Sequence, residues 1–481
     1  MQDSTFKWKD FYSLLLLALI CVQLFVPPVT GLANNGDFER LMSSVGLSYD
    51  ENVPYEEKYF KYINLKFNLD PDNSKLDYMS SETLLLYLAI FLNRWFSEDG
   101  LFDLRYLGAV HALFYVAASI YLIHLISKLI KPGIGRHILL IILVLFLSDV
   151  ALVSYFNSFY SESATLISLL YLVVFFFRLY QQQKLDWKDI VIFYFVSIML
   201  ISAKVQNCVL VVLLAIIGIR LFFLMERKKL TIFLCTFATL SLILVSALVY
   251  SSSPDYIKRF NIFNSVFYGI AKDSPTAEEH LKKLGLGEDY HPYIGLTIFD
   301  ERSPKNNEQV MNDFVSKVSY GDVIRFYLTN PKRFFEVSRD AAKSTLVMKL
   351  DYLGTREKEN SGQSSDFNVP LFHKLQNVII PKSLGFLICY YVFSIIVAIY
   401  LFRKPENRYE KEFAGFYLFL LLGAAMQFFA AFIGDGLQEI EKHLFLYNLL
   451  FFFSLFVLII VIMKRHTSII RYLRKVVIGT E

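Results

Sequence analysis

Residues 444–463, LFLYNLLFFFSLFVLIIVIM, form a run of twenty residues without a charged side chain, followed at once by Lys464. An α-helix needs about 20 apolar residues to cross the hydrocarbon core of a bilayer. The chain of 481 residues repeats this pattern, because 55% of it is hydrophobic and only 19% is charged. A soluble protein of this length carries more charge and shorter apolar runs. The sequence therefore predicts an all-α, polytopic membrane protein.

We count ten predicted spans. They lie at about 10–28, 103–127, 138–156, 163–180, 189–203, 208–224, 230–250, 384–402, 413–433 and 444–463. The fifth and sixth meet at SAKVQN (202–207), which is too polar for the middle of a single helix. Merging them would move the later basic clusters to the opposite side of the membrane.

The basic clusters set the predicted orientation. With a cytoplasmic N-terminus, ten spans place all of these clusters inside, as the positive-inside bias requires. They lie at 128–136, 178–188, 227–229, 403–411 and 464–475. We therefore expect a multi-pass plasma-membrane protein with both termini in the cytoplasm.

Three units follow from this topology. They are a membrane module at 1–250 (spans one to seven, with a first outer loop at 29–102), an extracytoplasmic domain at 251–383, and a second membrane module with a basic cytoplasmic tail at 384–481. Within the first loop, SETLLLYLAIFLNRWF (81–96) predicts an interfacial helix with an apolar face. An eleventh span is the alternative, but an odd count would break the charge pattern.

The chain lacks the sequence patterns that are typical of several function classes. The chain has no Walker loop, no HExxH and no glycine pattern of a dinucleotide site, which disfavours nucleotide-driven chemistry. Its cysteines lie inside apolar runs without CxxC spacing, so a disulfide framework or a cysteine-bound metal is not expected. These are Cys21, Cys208, Cys235 and Cys389.

The first outer loop begins with NNGDFERLM (34–42), which carries Asp37, Glu39 and Arg40. A carboxylate just outside the bilayer can take a proton from an acceptor hydroxyl as a general base. The alternative is structural, because NGD is also an ordinary turn and N-cap before the helix FERLMSSVGL.

The second outer loop, SDVALVSYFNSFYSESATL (148–166), is bounded by Asp149 and Glu162 and includes Asn157 and Tyr160. Two carboxylates around hydroxyls and aromatic rings are typical of a sugar site, where rings stack on pyranose faces. Glu162 could instead stabilise the N-terminus of a helix.

Four outer basic residues could bind the phosphate of an anionic lipid. They are Arg105 in FDLRYLG, Lys204 in ISAKVQN, and Lys442 and His443 in IGDGLQEIEKHLFLYN. Lys204 and Arg105 could instead only reach toward the lipid headgroups. The last loop could form a salt-bridge cluster with Asp435 and the neighbouring glutamates, and the spacing around His443 matches no specific metal site.

The order of these features resembles the GT-C superfamily of integral membrane glycosyltransferases. The resemblance rests on an acidic first outer loop, an interfacial helix, a basic start to span two, an acidic second outer loop and a lysine in a short turn. More narrowly, NNGDFERL, YFNSFYSESATL and NIFNSVFYGIAKDSPTAEEHLKKLGL (261–286) resemble bacterial surface-glycan hexose transferases of the S-layer type. One departure is Lys442, where that family leads us to expect an arginine before the histidine.

The resemblance implies an inverting transfer of a hexose from a polyprenyl-phosphate carrier to a cell-surface glycan or similar acceptor, at the extracytoplasmic face. Asp37 would be the general base, and Asp149 or Glu162 would orient a substrate or hold a divalent cation (Mg or Mn). Lys204, Arg105, Lys442 and His443 would bind the donor phosphate, and Asn157, Tyr160, Glu39 and Arg40 would contact sugar or acceptor.

The expected partners are therefore a lipid-linked donor, a surface acceptor and the bilayer, with no nucleic acid. A carrier or flippase for a lipid-linked sugar is the alternative, although a transporter is expected to carry ionisable or broken-helix positions near the membrane midplane. A glycan polymerase or ligase would share the chemistry.

Overall fold

The computed structural model describes residues 8–75, 78–97, 100–225, 229–358 and 370–478, and these residues are mostly helical. The predicted all-α polytopic fold is confirmed. The helices up to the second large loop are α1 (Trp8–Phe25), α2 (Phe38–Val45), α3 (Tyr55–Lys58), α4 (Glu82–Phe96), α5 (Leu104–Leu129), α6 (Ile134–Leu147), α7 (Val150–Val153), α8 (Glu162–Gln182), α9 (Trp187–Ala203), α10 (Val211–Phe223) and α11 (Lys229–Ser251).

The remaining helices cover the second large loop and the C-terminal part. They are α12 (Asp255–Asn264), α13 (Ala277–Lys283), α14 (Glu308–Lys317), α15 (Tyr320–Thr329), α16 (Pro331–Lys343), α17 (Leu371–Ile379), α18 (Leu384–Arg403), α19 (Arg408–Asp435), α20 (Ile440–His443) and α21 (Phe445–Ile478). Division of the chain at 250 and 383 stays a prediction.

Eight helical segments among the described residues are long and apolar enough to cross a membrane, and they match predicted spans two to four and six to ten. The first predicted span is a shorter apolar helix, Asp10–Phe25. The fifth is α9, which has 17 residues. Of the predicted basic clusters, the one at 227–229 falls largely outside the described residues.

The predicted break at 202–207 separates two helices. Helix α9 ends at Ala203, Lys204 has an extended backbone, and a 3₁₀ turn over Val205–Leu210 leads into α10. This break places Lys204 between two membrane helices, where its side chain reaches the second predicted outer loop.

Helix α8 is the centre of the bundle, because nearly all of its residues are buried. It packs against α5, α9 and α19, and the rings of Phe176 and Phe416 stack with their centroids 4.3 Å apart. A helix without a lipid-exposed face is held on all sides, so the position of Glu162 at its first residue is well fixed.

The first large loop combines helices with a small sheet that the sequence did not predict. Strands β1 (Leu47–Ser48), β2 (Lys66–Leu69) and β3 (Leu101–Asp103) form an antiparallel sheet in the order β1-β2-β3. Strands of two to four residues are too short to show an alternating pattern. Helix α4 matches the predicted interfacial helix, and its apolar side chains at Leu84, Tyr87, Phe91 and Trp95 are exposed.

Candidate functional site

A small cleft lies where several of the predicted outer segments meet. Residues from the first outer loop, the second outer loop and the α9–α10 turn line it together. They are Asp37, Arg40, Leu41, Tyr78, Phe159, Tyr160, Ser161, Glu162 and Lys204. From the last predicted outer loop, Lys442 reaches Asp37. Four segments that are far apart in the sequence thus share one end of the helix bundle.

Asp37 lies between two cationic side chains. One carboxylate oxygen accepts from the Arg40 guanidinium and the other from the Lys442 ammonium. Asp37 precedes α2, but its side chain makes no capping bond. Asn34 Oδ1 instead accepts from the backbone N–H groups of Gly36 and Phe38, at 2.7 and 3.2 Å. Burial disfavours the charged carboxylate, yet Lys442 and Arg40 outweigh it and hold the pKa of Asp37 well below its usual value.

Lys442 is almost fully buried, with 4% of its side chain exposed. Its ammonium also lies 3.2 Å from Asn35 Oδ1 and 4.9 Å from the centre of the Tyr160 ring. Glu439, in a left-handed conformation with φ +40°, accepts from Asn35 Nδ2 at 3.1 Å. The lysine that stands where an arginine was expected therefore points into this site.

Glu162 and Lys204 form the second ion pair of the cleft, at 2.7 Å. Glu162 is buried at the first residue of α8, where the positive end of the helix dipole favours a carboxylate. Burial disfavours the Lys204 ammonium, but Glu162 outweighs this and raises the pKa of Lys204. Lys204 therefore faces an acid inside the protein rather than reaching only toward lipid headgroups.

Tyr160 lines the cleft and contacts the loop that carries Asp37. Its hydroxyl donates to the Ala33 carbonyl at 2.9 Å and accepts from the Asn35 backbone N–H at 3.0 Å. Glu39 and Arg40 diverge, because Arg40 faces the cleft while Glu39 accepts from the Tyr59 hydroxyl at 2.8 Å.

Two residues predicted from the second outer loop make structural contacts outside the cleft. Asp149 accepts from the backbone N–H groups of Ala151, Phe372 and His373, which ties the start of α17 to the bundle. Asn157 donates to the carbonyls of Leu24 and Thr30 at 3.1 and 2.7 Å. These contacts occupy both side chains with backbone groups, so the structure brings neither of them to Asp37.

Two predicted phosphate ligands also lie elsewhere. Arg105 pairs with Asp103 at 2.6 Å, at the start of α5. His443 pairs with Asp435 at 3.0 Å, and Asp435 also accepts from Asn264 Nδ2 at 2.9 Å. His443 is adjacent to Lys442, but its ring serves to connect α20 with α12 and α19.

The cleft does not fit a divalent cation. Within the described ranges, no group of three or more His, Cys, Asp and Glu side chains is arranged to hold a metal ion. The two cleft carboxylates face Arg40, Lys204 and Lys442, which would repel a divalent cation.

Residues 5–477 match the family model described as YfdI N-terminal transmembrane domain. The chain belongs to this family. The match supports a multi-pass membrane protein. A search of curated proteins found no match.

Two solved structures from Archaeoglobus fulgidus are similar to the chain. The oligosaccharyltransferase in its apo form is 13% identical, with a TM-score of 0.39 over 99% of this chain and 53% of that one. The oligosaccharyltransferase AglB, in complex with an inhibitory peptide and a dolichol-phosphate, is 14% identical, with a TM-score of 0.36 over 98% and 52%. The chain spans about half the length of these structures.

Sequence reasoning missed a buried support beneath the cleft. Glu82, at the start of α4, contacts His111 Nε2 at 2.6 Å and accepts from the Ala164 backbone N–H at 3.0 Å. The preceding Ser81 donates to the Met199 carbonyl at 2.7 Å. The start of α4 thereby joins the first turn of α8 to the end of α9. A glutamate opening a strongly apolar helix is the signal that could have marked it.

Proposed function

We propose that this protein is a membrane glycosyltransferase. In this proposal it moves a hexose from a polyprenyl-phosphate carrier to a cell-surface glycan or similar acceptor, at the extracytoplasmic face and with inversion. The observation that carries the proposal is one cleft lined by Asp37, Glu162, Arg40 and Lys204, with Lys442 paired to Asp37. Transfer from a lipid phosphate needs a base for the acceptor and cations for the leaving phosphate, and this cleft offers both.

The donor phosphate would bind among the three cations. Arg40 and Lys204 are partly exposed to the cleft, with 33% and 21% of their side chains accessible, while Lys442 lies deeper. Cations fixed before the substrate arrives stabilise the charge that develops on the leaving phosphate. Arg40 joins this set because of its position, although its sequence context indicated sugar or acceptor contact.

Asp37 would act as the general base. Paired with two cations it is a weak base, since its pKa is held well below the usual value. A donor phosphate that draws Lys442 and Arg40 toward itself would raise the pKa of Asp37 at the moment when a base is needed. Asp37 then takes the proton of the acceptor hydroxyl, whose oxygen bonds to the anomeric carbon. The bond from that carbon to the phosphate oxygen breaks, and the carrier phosphate leaves with the electron pair.

Glu162 would be the positioning acid of the site. Its bond to Lys204 fixes the direction of that ammonium toward the cleft. Of the two acids that the sequence left open for this role, Glu162 lines the cleft and Asp149 does not. No step is assigned to a metal ion.

The test is sugar transfer by the purified protein in lipid, from a panel of radiolabelled polyprenyl-phosphate hexoses with a cell extract as the acceptor source. We expect transfer from one donor by the wild type and at least a 100-fold loss in Asp37→Asn, with donor binding retained. Unchanged transfer in that variant would show that a residue other than Asp37 is the general base. Absence of transfer from every donor would favour a carrier.

A matched pair of variants tests the phosphate assignment, since the sequence placed Lys442 and Arg105 in the same role. Lys442→Gln should weaken donor binding at least 10-fold, because the ammonium contacts Asp37 at the edge of the cleft. Arg105→Gln should not weaken it, because Arg105 pairs with Asp103 away from the cleft. Equal losses in both variants would refute the placement of the phosphate.

A further inference from the structure

Tyr55 and Phe60 present exposed rings beside the half-buried Tyr59, next to the loop that carries Asp37. Tyr55 is 73% exposed and Phe60 is 43% exposed. The rings of Tyr55 and Tyr59 contact each other, with centroids 4.8 Å apart and planes tilted by 45°. We refer to Tyr55, Tyr59 and Phe60 as the aromatic ledge. Aromatic groups left open to solvent beside a site commonly mark a binding surface.

Phe60 has an unusual backbone for a bulky residue. Its φ is +65°, in the left-handed region that a phenylalanine rarely adopts. The conformation is held on both sides, because Phe60 N–H donates to the Asn34 carbonyl at 2.8 Å and the Phe60 carbonyl accepts from Gly354 N–H at 2.7 Å. Glycine would fit this backbone with less strain. An exposed phenylalanine ring at a position that favours glycine points to a functional role for the ring itself.

The ledge is joined to the loop that carries Asp37. The Tyr59 hydroxyl donates to the exposed carboxylate of Glu39 at 2.8 Å, and Glu39 also accepts from Asn34 Nδ2 at 3.3 Å. The same Asn34 holds the turn before Asp37 through its side-chain oxygen. Glu39 follows Asp37 by two residues, so a ligand on the ledge would contact the same loop that carries the proposed base.

We propose that the aromatic ledge and Glu39 bind the saccharide acceptor, with a pyranose ring stacked on the aromatic side chains and a hydroxyl donating to Glu39. This inference rests on the proposed function and deepens it. A pyranose offers both an apolar C–H face for the rings and hydroxyls for the carboxylate, whereas a lipid chain offers only the first. The ledge is interleaved with charged side chains, Glu56, Lys58 and Lys61, which are costly to place in a bilayer.

Binding can be tested without catalysis, by saturation-transfer NMR of methyl hexopyranosides on the full chain in lipid nanodiscs. Phe60→Gly removes the ring and suits the backbone, and Tyr55→Ala removes an exposed ring. We expect each to weaken the saccharide signal at least 10-fold. Tyr87→Ala, an exposed ring on α4, is the control and should keep it. Unchanged signals in both ledge variants would overturn the proposal.

A second measurement separates this inference from the proposed function. With a lipid-linked donor, release of free hexose to water reports donor chemistry, and product formation with acceptor reports transfer. The ratio of transfer to hydrolysis should fall at least 10-fold in Phe60→Gly and stay at the wild-type value in Tyr87→Ala. An unchanged ratio in Phe60→Gly would refute the ledge as the acceptor site. If the wild type consumes no donor, the proposed function fails, and the NMR result alone shows whether the ledge binds a saccharide.

Discussion

The ion pair between Asp37 and Lys442 can be examined with a double-mutant cycle in folding stability. Asp37→Asn leaves the Lys442 ammonium in a site where only 4% of its side chain is exposed, beside Asn35 Oδ1 and the Tyr160 ring. An uncompensated buried charge costs 3–5 kcal/mol, and because the new amide still offers one acceptor we expect about 3 kcal/mol.

Lys442→Met has a smaller expected cost. Asp37 keeps Arg40 as a partner, and 28% of its side chain is exposed to solvent. These conditions resemble those of a surface ion pair, so we expect about 1 kcal/mol. The double variant removes both charges and should cost about 2 kcal/mol, which gives a coupling energy of about 2 kcal/mol between the two residues.

The measurement is equilibrium unfolding in mixed micelles, followed by circular dichroism, for the wild type, both single variants and the double variant. The exposed pair Asp313–Lys317 provides a matched control, since it has the same residue types at 2.7 Å but with 50% and 39% of the side chains exposed. Its cycle should give a much smaller coupling energy than the Asp37–Lys442 cycle, because solvent screens an exposed pair. A coupling energy between Asp37 and Lys442 no larger than that of the control pair would refute the reasoning.

Three further predictions concern pH and packing. The pKa of Asp37 is lower in the folded protein than in the unfolded chain, so the ionised carboxylate stabilises the fold fully above the unfolded pKa of about 4. This stabilisation is lost as the pH falls below that value. The unfolding free energies of the wild type and Asp37→Asn should therefore differ by a constant amount from neutral pH down to about pH 5 and converge in stronger acid. Asp149→Asn should cost about 1–3 kcal/mol of unfolding free energy, since it replaces an acceptor of backbone N–H groups, while transfer per folded molecule stays constant; a selective loss of turnover would contradict this. Gly108→Ala would place a Cβ 2.0 Å from Asn157 Oδ1 and should cost about 2–3 kcal/mol, whereas Gly385→Ala has open space and should be neutral in the same unfolding assay.

Much of the architecture was predictable because it depends on local composition. A run such as 444–463 needs only its own residues to identify it as a membrane helix, and the break at 202–207 needs only its polarity. Helix α4 was predictable for the same reason, since its apolar face follows the helical period. The small sheet was not, because its strands are two to four residues long and are stabilised by pairing with distant chain segments.

The candidate site also combines residues that the sequence could identify with contacts that it could not predict. Sequence reasoning selected Asp37, Glu162, Lys204 and Lys442 as charged residues at the membrane face. It could not separate them from Arg105, which has a similar sequence context but pairs with the neighbouring Asp103. The sequence also contained no sign that Asn35 would contact both Lys442 and Glu439.

By itself, the sequence determined which segments are apolar enough to cross a bilayer and which charged groups lie outside those segments, because the free energy of transfer into hydrocarbon depends on each segment's own side chains. Only the tertiary structure decided which of those charges meet. Lys442 lies 405 positions after Asp37, and Lys204 lies 42 positions after Glu162. These contacts arise from the packing of α8, α19 and α21 around one another, and no local pattern encodes them, since an ion pair requires only proximity in space.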